Sequence, residues 1–250
     1  MSRGFPKKVK LKLIEKKLEA KDTYTFIWKP QKKIKYLPGQ YFYYTLPKMQ
    51  VFDPRGITRH FTISSSPTEG DNIRFTTRIR DNSAYKNAVN ELKVGDIVEG
   101  EGPNGTYTID EKEPGPHVFL AGGIGITPFR SAIKYNIDKK LTKTKIHLIY
   151  ANSTPEDIVF RNELEKWVKE NKNIKMDMTV SRPEENGQKW TGLTGRIDEN
   201  MLRKIIPNNE LRITNFWVCG PPAMVEATEK ILGSLKITSD KVRSEKFTGY

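Results

Sequence analysis

Apolar positions along the chain recur with two different periods, and the change falls near residue 114. Before it, short runs with alternating or continuous apolar character predict strands at 7–18, 23–28, 41–46, 58–64, 72–80 and 97–101. Turn-forming pairs separate them, among them Pro38-Gly39, Asp53-Pro54 and Gly70-Asp71. One helix interrupts the series. Ser83 is placed to cap residues 84–92, and Gly95 lies just beyond the end. Many short strands with regular turn signals suggest an antiparallel sandwich or barrel.

After Glu111-Lys112-Glu113-Pro114-Gly115-Pro116, read as a linker, strands alternate with helices. Strands are predicted at 117–121, 145–150, 174–181, 216–219 and 242–247. Helices are predicted from about Pro128, over 154–170, over 198–205 and over 221–235. This alternation implies a parallel sheet covered by helices. The expected organisation is therefore two domains: residues 1–113, an antiparallel β-barrel, and residues 114–250, an α/β parallel-sheet domain.

Composition narrows the chemistry. The 250 residues carry 43 Lys+Arg and 30 Asp+Glu, a formal charge of +13. An acidic partner, nucleic acid or an anionic surface would all suit that charge. The single cysteine, Cys219, allows neither an internal disulfide nor a cysteine-ligated zinc or iron–sulfur cluster within the chain. His60, His117 and His147 lie far apart with no metal-ligand spacing, so no metal site is expected and redox chemistry must come from an organic cofactor. No apolar run reaches the roughly 18 residues of a spanning helix, and the basic start lacks a signal-peptide apolar stretch. A reducing, cytoplasmic location is the expectation.

Four segments carry candidate chemistry. Ala121-Gly122-Gly123-Ile124-Gly125-Ile126-Thr127-Pro128 follows a strand and opens a helix. Its glycines would let a phosphate or a nicotinamide ring approach the backbone at a helix N-terminus. It is not GxGxxG, the next strand ends in Ala151-Asn152 without a ribose-binding acid, and alone the turn reads equally as a plain chain reversal. Arg59-His60-Phe61-Thr62 offers a guanidinium fork, a flat ring and a hydroxyl. In a regular strand 59 and 61 share one face and 62 takes the other, so a bulge or strand end is needed to gather all three. Arg78-Ile79-Arg80-Asp81-Asn82-Ser83-Ala84 runs an arginine-bearing strand into a capped helix start. Cys219-Gly220-Pro221-Pro222-Ala223-Met224 is again strand, turn and helix, and ligands sit at the carboxyl ends of parallel strands.

Arg-x-Phe-Thr, then GGIGITP, then CGPPAM, in that order, resembles the ferredoxin–NADP⁺ reductase superfamily from about Val9 to Tyr250. The resemblance implies a flavin-binding antiparallel barrel followed by a nicotinamide-nucleotide domain. It implies that Arg59 holds the flavin pyrophosphate. Phe61 packs on the flavin where many members have Tyr, and Thr62 bonds near flavin N5 where many have Ser. Thr77 and Arg78 match a second flavin-contacting strand. Ser83 matches the pyrophosphate-binding helix start, although Asp81-Asn82 stand where glycines are common. Gly123, Gly125 and Thr127 line the nicotinamide nucleotide, with Cys219, Gly220 and Pro221 beside the nicotinamide. Ser181-Arg182 matches a pair that often binds the 2′-phosphate, which points to NADPH over NADH. Glu245 matches a carboxylate near the active site, and the terminal Tyr250 an aromatic that covers the flavin and moves aside for nicotinamide.

The implied activity is an FAD-dependent NAD(P)H oxidoreductase. Hydride passes from nicotinamide to flavin, and electrons then pass to a separate acidic carrier, ferredoxin or flavodoxin. FAD is favoured over FMN because Arg59 and Ser83 both offer diphosphate contacts. The first 35 residues hold 12 Lys+Arg against three acids, a local +9 outside the cofactor motifs that would suit a docking face. Solubility alone accounts for such lysine content equally well. The alternatives are an electron-transfer subunit of a larger complex, a reductase of free flavin or ferric chelates, and a basic nucleic-acid binder. The last lacks aromatic interleaving, so no nucleic-acid partner is expected.

Overall fold

A computed structural model describes residues 7–109, 115–184 and 189–248. The chain forms two compact units: Met1–Ile109 with Arg130–Tyr135, and Asp110–Phe129 with Asn136–Tyr250. Most of the linker segment lies outside the described residues.

The first unit is built from β1 (Lys7–Ala20), β2 (Thr23–Pro30), β3 (Tyr41–Thr45), β4 (Thr58–Thr62), β5 (Ile73–Arg78) and β6 (Ile97–Asn104), with α1 (Ala84–Glu91) between the last two strands. The strands form one antiparallel sheet in the order β4-β3-β6-β1-β2-β5. Strict alternation in β1 buries Leu11 and Leu13 and exposes Lys8, Lys10 and Lys12. The sheet curls until its edges meet: the Ser64 N–H donates to the Arg74 carbonyl at 2.8 Å. Buried hydroxyls of Ser64, Thr76 and Thr25 line that seam at 3.0 and 2.7 Å. Inside, Phe26, Trp28, Phe42, Tyr44, Phe75 and Tyr85 make an aromatic core. Each such ring contributes roughly 1.5–3 kcal/mol by burial. The expected barrel is therefore present.

Residues 130–135 of the following helix belong to this unit. The Arg130 side chain is fully buried. It donates to both Glu69 carboxylate oxygens at 2.8 and 3.0 Å and to the Ser64 carbonyl at 2.8 Å. The Ser131 hydroxyl donates to the Ser65 carbonyl at 2.6 Å. Burial works to raise the Glu69 carboxyl, but Arg130, Arg74 and the Ser66 N–H outweigh it and hold it below its usual range.

The second unit contains β7 (His117–Gly122), α2 (Ile126–Asp138, shared with the first unit), β8 (Ile146–Asn152), α3 (Arg161–Glu170), β9 (Ile174–Val180), β10 (Leu193–Thr194), α4 (Glu199–Ile205), α5 (Asn208–Leu211), β11 (Asn215–Gly220), α6 (Pro222–Ser234) and β12 (Val242–Lys246). All six strands pair in parallel in the order β10-β9-β8-β7-β11-β12. Central β7 is buried along its whole length, as its continuous apolar run requires. From β7 the chain moves outward through β8, β9 and β10, then returns to place β11 on the other side. The order therefore reverses between β7 and β11.

Two helix expectations are corrected. The predicted helix over 154–170 is broken. Thr154 and Asp157 close a capping box around a short 3₁₀ turn at Pro155–Asp157. Ile158, Val159 and Phe160 then bury as an apolar plug, with Phe160 at φ 60, before α3 begins. The helix expected from Pro128 begins at Ile126, after a 3₁₀ turn at Gly123–Gly125. Pro128 fits inside the first turn because N–H groups there have no intrahelical acceptor. Among the described residues, no helix is long and apolar enough to cross a membrane. No group of three or more His, Cys, Asp or Glu there is placed to hold a metal ion.

Several N-terminal lysines are already paired. Lys8 meets Glu99 at 2.9 Å, Lys17 meets Glu19 at 3.1 Å and Lys33 meets Asp71 at 2.7 Å. The Lys16 ammonium lies 4.6 Å from the Tyr24 ring centre and donates to the Asn90 carbonyl.

Candidate functional site

In an open parallel sheet, ligands bind beyond the carboxyl ends of the strands where the order reverses. Here that point lies between β7 and β11, and the two turns singled out from the sequence follow those two strands. They pack backbone against backbone. A Cβ on Gly125 would stand 2.2 Å from the Cys219 carbonyl oxygen and 2.7 Å from Gly220 Cα. Gly123 takes φ +52 and faces open space, so only a residue without a side chain leaves that approach clear. The Tyr150 hydroxyl donates to the Gly123 carbonyl at 3.1 Å and accepts from the Val159 N–H at 3.2 Å, which fixes the turn from below.

Neighbouring groups complete the second unit's site. Cys219 is fully buried, and burial, with Glu245 adding to it, pushes its thiol well up. It is a neutral packing residue, not a thiolate nucleophile. Glu245 pairs with Cys219 across β11 and β12. Its Oε2 is buried without a partner among the described residues, and burial raises its carboxyl to about 7. Thr127 is 1 % exposed and its hydroxyl donates to the Ile124 carbonyl, so it stabilises the turn from inside. Pro221 precedes α6 as its N-cap. Ser181 and Arg182 are exposed just past β9, tied by backbone bonds to the Asn152 and Ser153 carbonyls. The Asn152 amide, 9 % exposed at the end of β8, finds no partner among the described residues on either Nδ2 or Oδ1. A buried orphan amide at a strand's carboxyl end fits a nucleotide site. Tyr250 lies outside the described residues.

The first unit carries a separate set of candidate residues. The β3–β4 register runs unbroken from Thr45 to Tyr41, so no bulge turns Thr62; it is the last residue of β4 and 6 % exposed. Phe61 lies on Phe75 with ring centres 4.4 Å apart and stays partly exposed. His60 points the other way, against Tyr41 and Tyr43. The Arg59 Nη1 donates to the carbonyls of Arg55, Gly56 and Thr58, and Nη2 to Asp53. The Ser83 hydroxyl accepts from the Lys86 N–H at 3.3 Å and caps α1 as expected. Thr77 is buried, and Arg78 Nε reaches the Thr23 hydroxyl at 3.4 Å.

Cations crowd the start of α1. Burial first, then Arg80, Arg55 and Arg78, push the Lys86 ammonium down to about 8. Burial, Arg55 and Arg59 likewise lower His60. Mutually repelling cations beside a helix N-terminus fit a dianionic diphosphate. Lys86, Asp53, Tyr150 and Asn152 were not singled out from the sequence. The groups that act on Lys86, Asp53 and Tyr150 come mostly from other segments, Asn152 has no side-chain partner among the described residues, and no local spacing marks any of the four.

Known protein families match each of the two units. Residues 10–109 match the family described as oxidoreductase FAD-binding domain, and residues 119–230 the family described as oxidoreductase NAD-binding domain. An NADH-cytochrome b5 reductase 1 of Lodderomyces elongisporus is 32 % identical over 74 % of this chain and 61 % of its own length. The anthranilate 1,2-dioxygenase electron transfer component of Acinetobacter baylyi is 28 % identical over 86 % of this chain and 59 % of its own. The chain thus spans about three fifths of these relatives. A ferredoxin NADP⁺ reductase from Neisseria gonorrhoeae, solved with bound FAD and NADP, shares the fold at TM-score 0.78 and 18 % identity, over 96 % of this chain and 98 % of that one. The chain thus joins a domain of the oxidoreductase FAD-binding family, built on an antiparallel sheet, to a domain of the oxidoreductase NAD-binding family, built on a parallel sheet.

Proposed function

We propose that this chain is an FAD-dependent NAD(P)H oxidoreductase that draws electrons from a reduced nicotinamide and delivers them to a separate carrier. The observation that carries this reading is the seating of the Gly122–Gly125 turn on Cys219 and Gly220 at the point of strand reversal. It leaves a backbone surface that a flat ring and a phosphate approach closely. FAD, when bound, supplies the two-electron chemistry. The chain's own residues do the rest. Arg59, Ser83 and Lys86 hold the diphosphate. Phe61, Thr62, Thr77 and Arg78 contact the flavin. Gly123, Gly125, Gly220 and Pro221 shape the nicotinamide slot, and Thr127 and Cys219 support it from beneath. Arg182, exposed beside Ser181, takes the 2′-phosphate of NADPH. Glu245 provides a carboxyl able to hold a proton near neutral pH.

The carrier is an acidic one-electron protein. The relatives name two kinds of acceptor between them: cytochrome b5 in one, an oxygenase component in the other. Ferredoxin and flavodoxin belong to the same chemical class. Exposed Lys10, Lys12 and Lys29 on β1 and β2 are the face to which such a partner docks. The test reconstitutes the protein with FAD and supplies NADPH or NADH in turn, with cytochrome b5, a [2Fe–2S] ferredoxin, flavodoxin and ferricyanide as acceptors. Turnover with ferricyanide and with one acidic carrier, weakened by salt, is expected. Turnover with free flavin or ferric chelate alone would favour a small-acceptor reductase.

A further inference from the structure

Asp53 lies in the β3–β4 loop, six residues ahead of Arg59. Its Oδ1 accepts from Arg59 Nη2 at 2.6 Å and from the Arg55 N–H at 2.9 Å. Its Oδ2 accepts from the Tyr85 N–H, in the first turn of α1, at 3.3 Å. One carboxylate thus joins the loop, the arginine and the helix start. Burial works to raise this carboxyl, yet the Arg55 and Tyr85 N–H groups and the Arg59 charge hold it below its usual range. The Asp53 and Arg59 side chains are 9 % and 14 % exposed, and the Arg59 guanidinium lies 5.2 Å from the Tyr85 ring centre.

The way Arg59 is held matters. A guanidinium has five N–H groups. Here Nη1 spends its pair on three loop carbonyls, and Nη2 spends one on Asp53. The Nε–H and the second Nη2 hydrogen have no acceptor among the described residues. The arginine is clamped at one end and open along the other. A planar fork recognises phosphate well only when its orientation is fixed beforehand.

We infer that Asp53 is a positioning residue for the flavin diphosphate: it locks Arg59 and the first turn of α1 into one frame, so that both meet the same diphosphate. The inference rests on the FAD reading above and goes beyond it by adding a residue that acts through others. A carboxylate near an anion is unfavourable by itself. Arg59, which it pairs with, offsets it, and Arg55, Arg78, Arg80 and Lys86 add further positive charge near the start of α1.

The test uses the full-length apoprotein and compares FAD with riboflavin, which has no phosphate, by flavin fluorescence titration. Asp53→Asn is expected to weaken FAD at least tenfold while changing riboflavin less than twofold. In an Arg59→Ala background the same change should weaken FAD less than threefold further, because the arginine it positions is gone. FAD binding as tight as wild type or tighter would overturn the inference, since the carboxylate would then be idle or a competitor of the diphosphate. Equal losses for FAD and riboflavin would also overturn it, by reducing Asp53 to general support. If Asp53→Asn does not fold, Asp53→Glu keeps the charge and displaces it by one methylene. It should weaken FAD at least threefold with riboflavin unchanged, and unchanged FAD affinity would overturn the inference. A wild-type chain that takes up neither flavin would instead refute the FAD reading, and this inference with it.

Discussion

Gly125→Ala is the substitution whose outcome the geometry determines most tightly. The added Cβ would stand 2.2 Å from the Cys219 oxygen, 2.6 Å from its carbonyl carbon and 2.7 Å from Gly220 Cα. All three are backbone atoms, so no side chain can rotate away. Reaching ordinary contact needs about 1 Å of separation between the glycine turn and β11, a central strand. Overpacking of this kind costs about 1–3 kcal/mol, and displacing a paired strand puts it at the upper end. Against this, alanine gains roughly 0.4–1 kcal/mol from a less flexible unfolded chain. The net loss is about 2 kcal/mol, or roughly 4–8 °C in Tm for a chain of this size. Gly123→Ala is the matched control. Its Cβ would meet nothing within 4 Å, and φ +52 adds only about 1–2 kcal/mol of left-handed strain. On the proposed function, that Cβ would stand in the nicotinamide slot. Thermal unfolding and nicotinamide titration of both variants separate the effects. Gly125→Ala should lose stability and nucleotide affinity together, and Gly123→Ala mainly affinity. A Gly125→Ala protein that melts within 1 °C of wild type and binds nucleotide equally would refute the packing argument.

Other outcomes follow from the same geometry. Glu245 keeps its proton to about 7 in the folded chain because of burial, whereas the unfolded group releases it near its ordinary value. Its contribution is therefore fully present at acid pH and is lost as pH rises toward 7, costing up to about 3 kcal/mol above that. Glu245→Gln should match wild type in urea unfolding at pH 4 and exceed it at pH 8; equal curves at both would contradict the burial. Diphosphate binding should draw a proton onto Lys86, whose value near 8 leaves it roughly half neutral at pH 8. Calorimetry of FAD binding in two buffers should show that uptake, and Lys86→Met should abolish it. Arg182→Ala should weaken NADPH at least tenfold more than NADH, and equal losses would remove Arg182 from the 2′-phosphate site.

Element type was legible where periodicity was strong. The alternation Lys8, Lys10, Lys12 against Leu11 and Leu13 is a strand pattern in the sequence and a strand in the structure. The wholly apolar β7 likewise pointed to a buried parallel sheet. The break between Asp157 and Arg161 was hidden, because Ile158-Val159-Phe160 continues a helical apolar stripe. Only the capping box and the plug beneath Tyr150 interrupt it. Two-residue β10 and four-residue α5 are too short to show a period.

The glycine and CGPP turns were visible because backbone approach demands particular residue types. That they face each other was not, since it depends on strand order. Asp53 looked like a turn residue, and its role emerges only when Arg59 and Tyr85 arrive from six and 32 positions away. Arg130 and Glu69 are separated by 61 positions and no motif links them. The basic N-terminus remains outside the cofactor motifs, with part of its charge neutralised by Glu99, Glu19 and Asp71.

Every role proposed above depends on one reaction, the reduction of a bound FAD by a nicotinamide nucleotide. Anaerobic stopped-flow mixing of the FAD-reconstituted protein with NADPH and with NADH tests it directly. The visible flavin band should bleach with one or both nucleotides, at a rate that saturates with nucleotide concentration, and Gly123→Ala should raise the concentration needed. A bound flavin that stays oxidised with both nucleotides would contradict it.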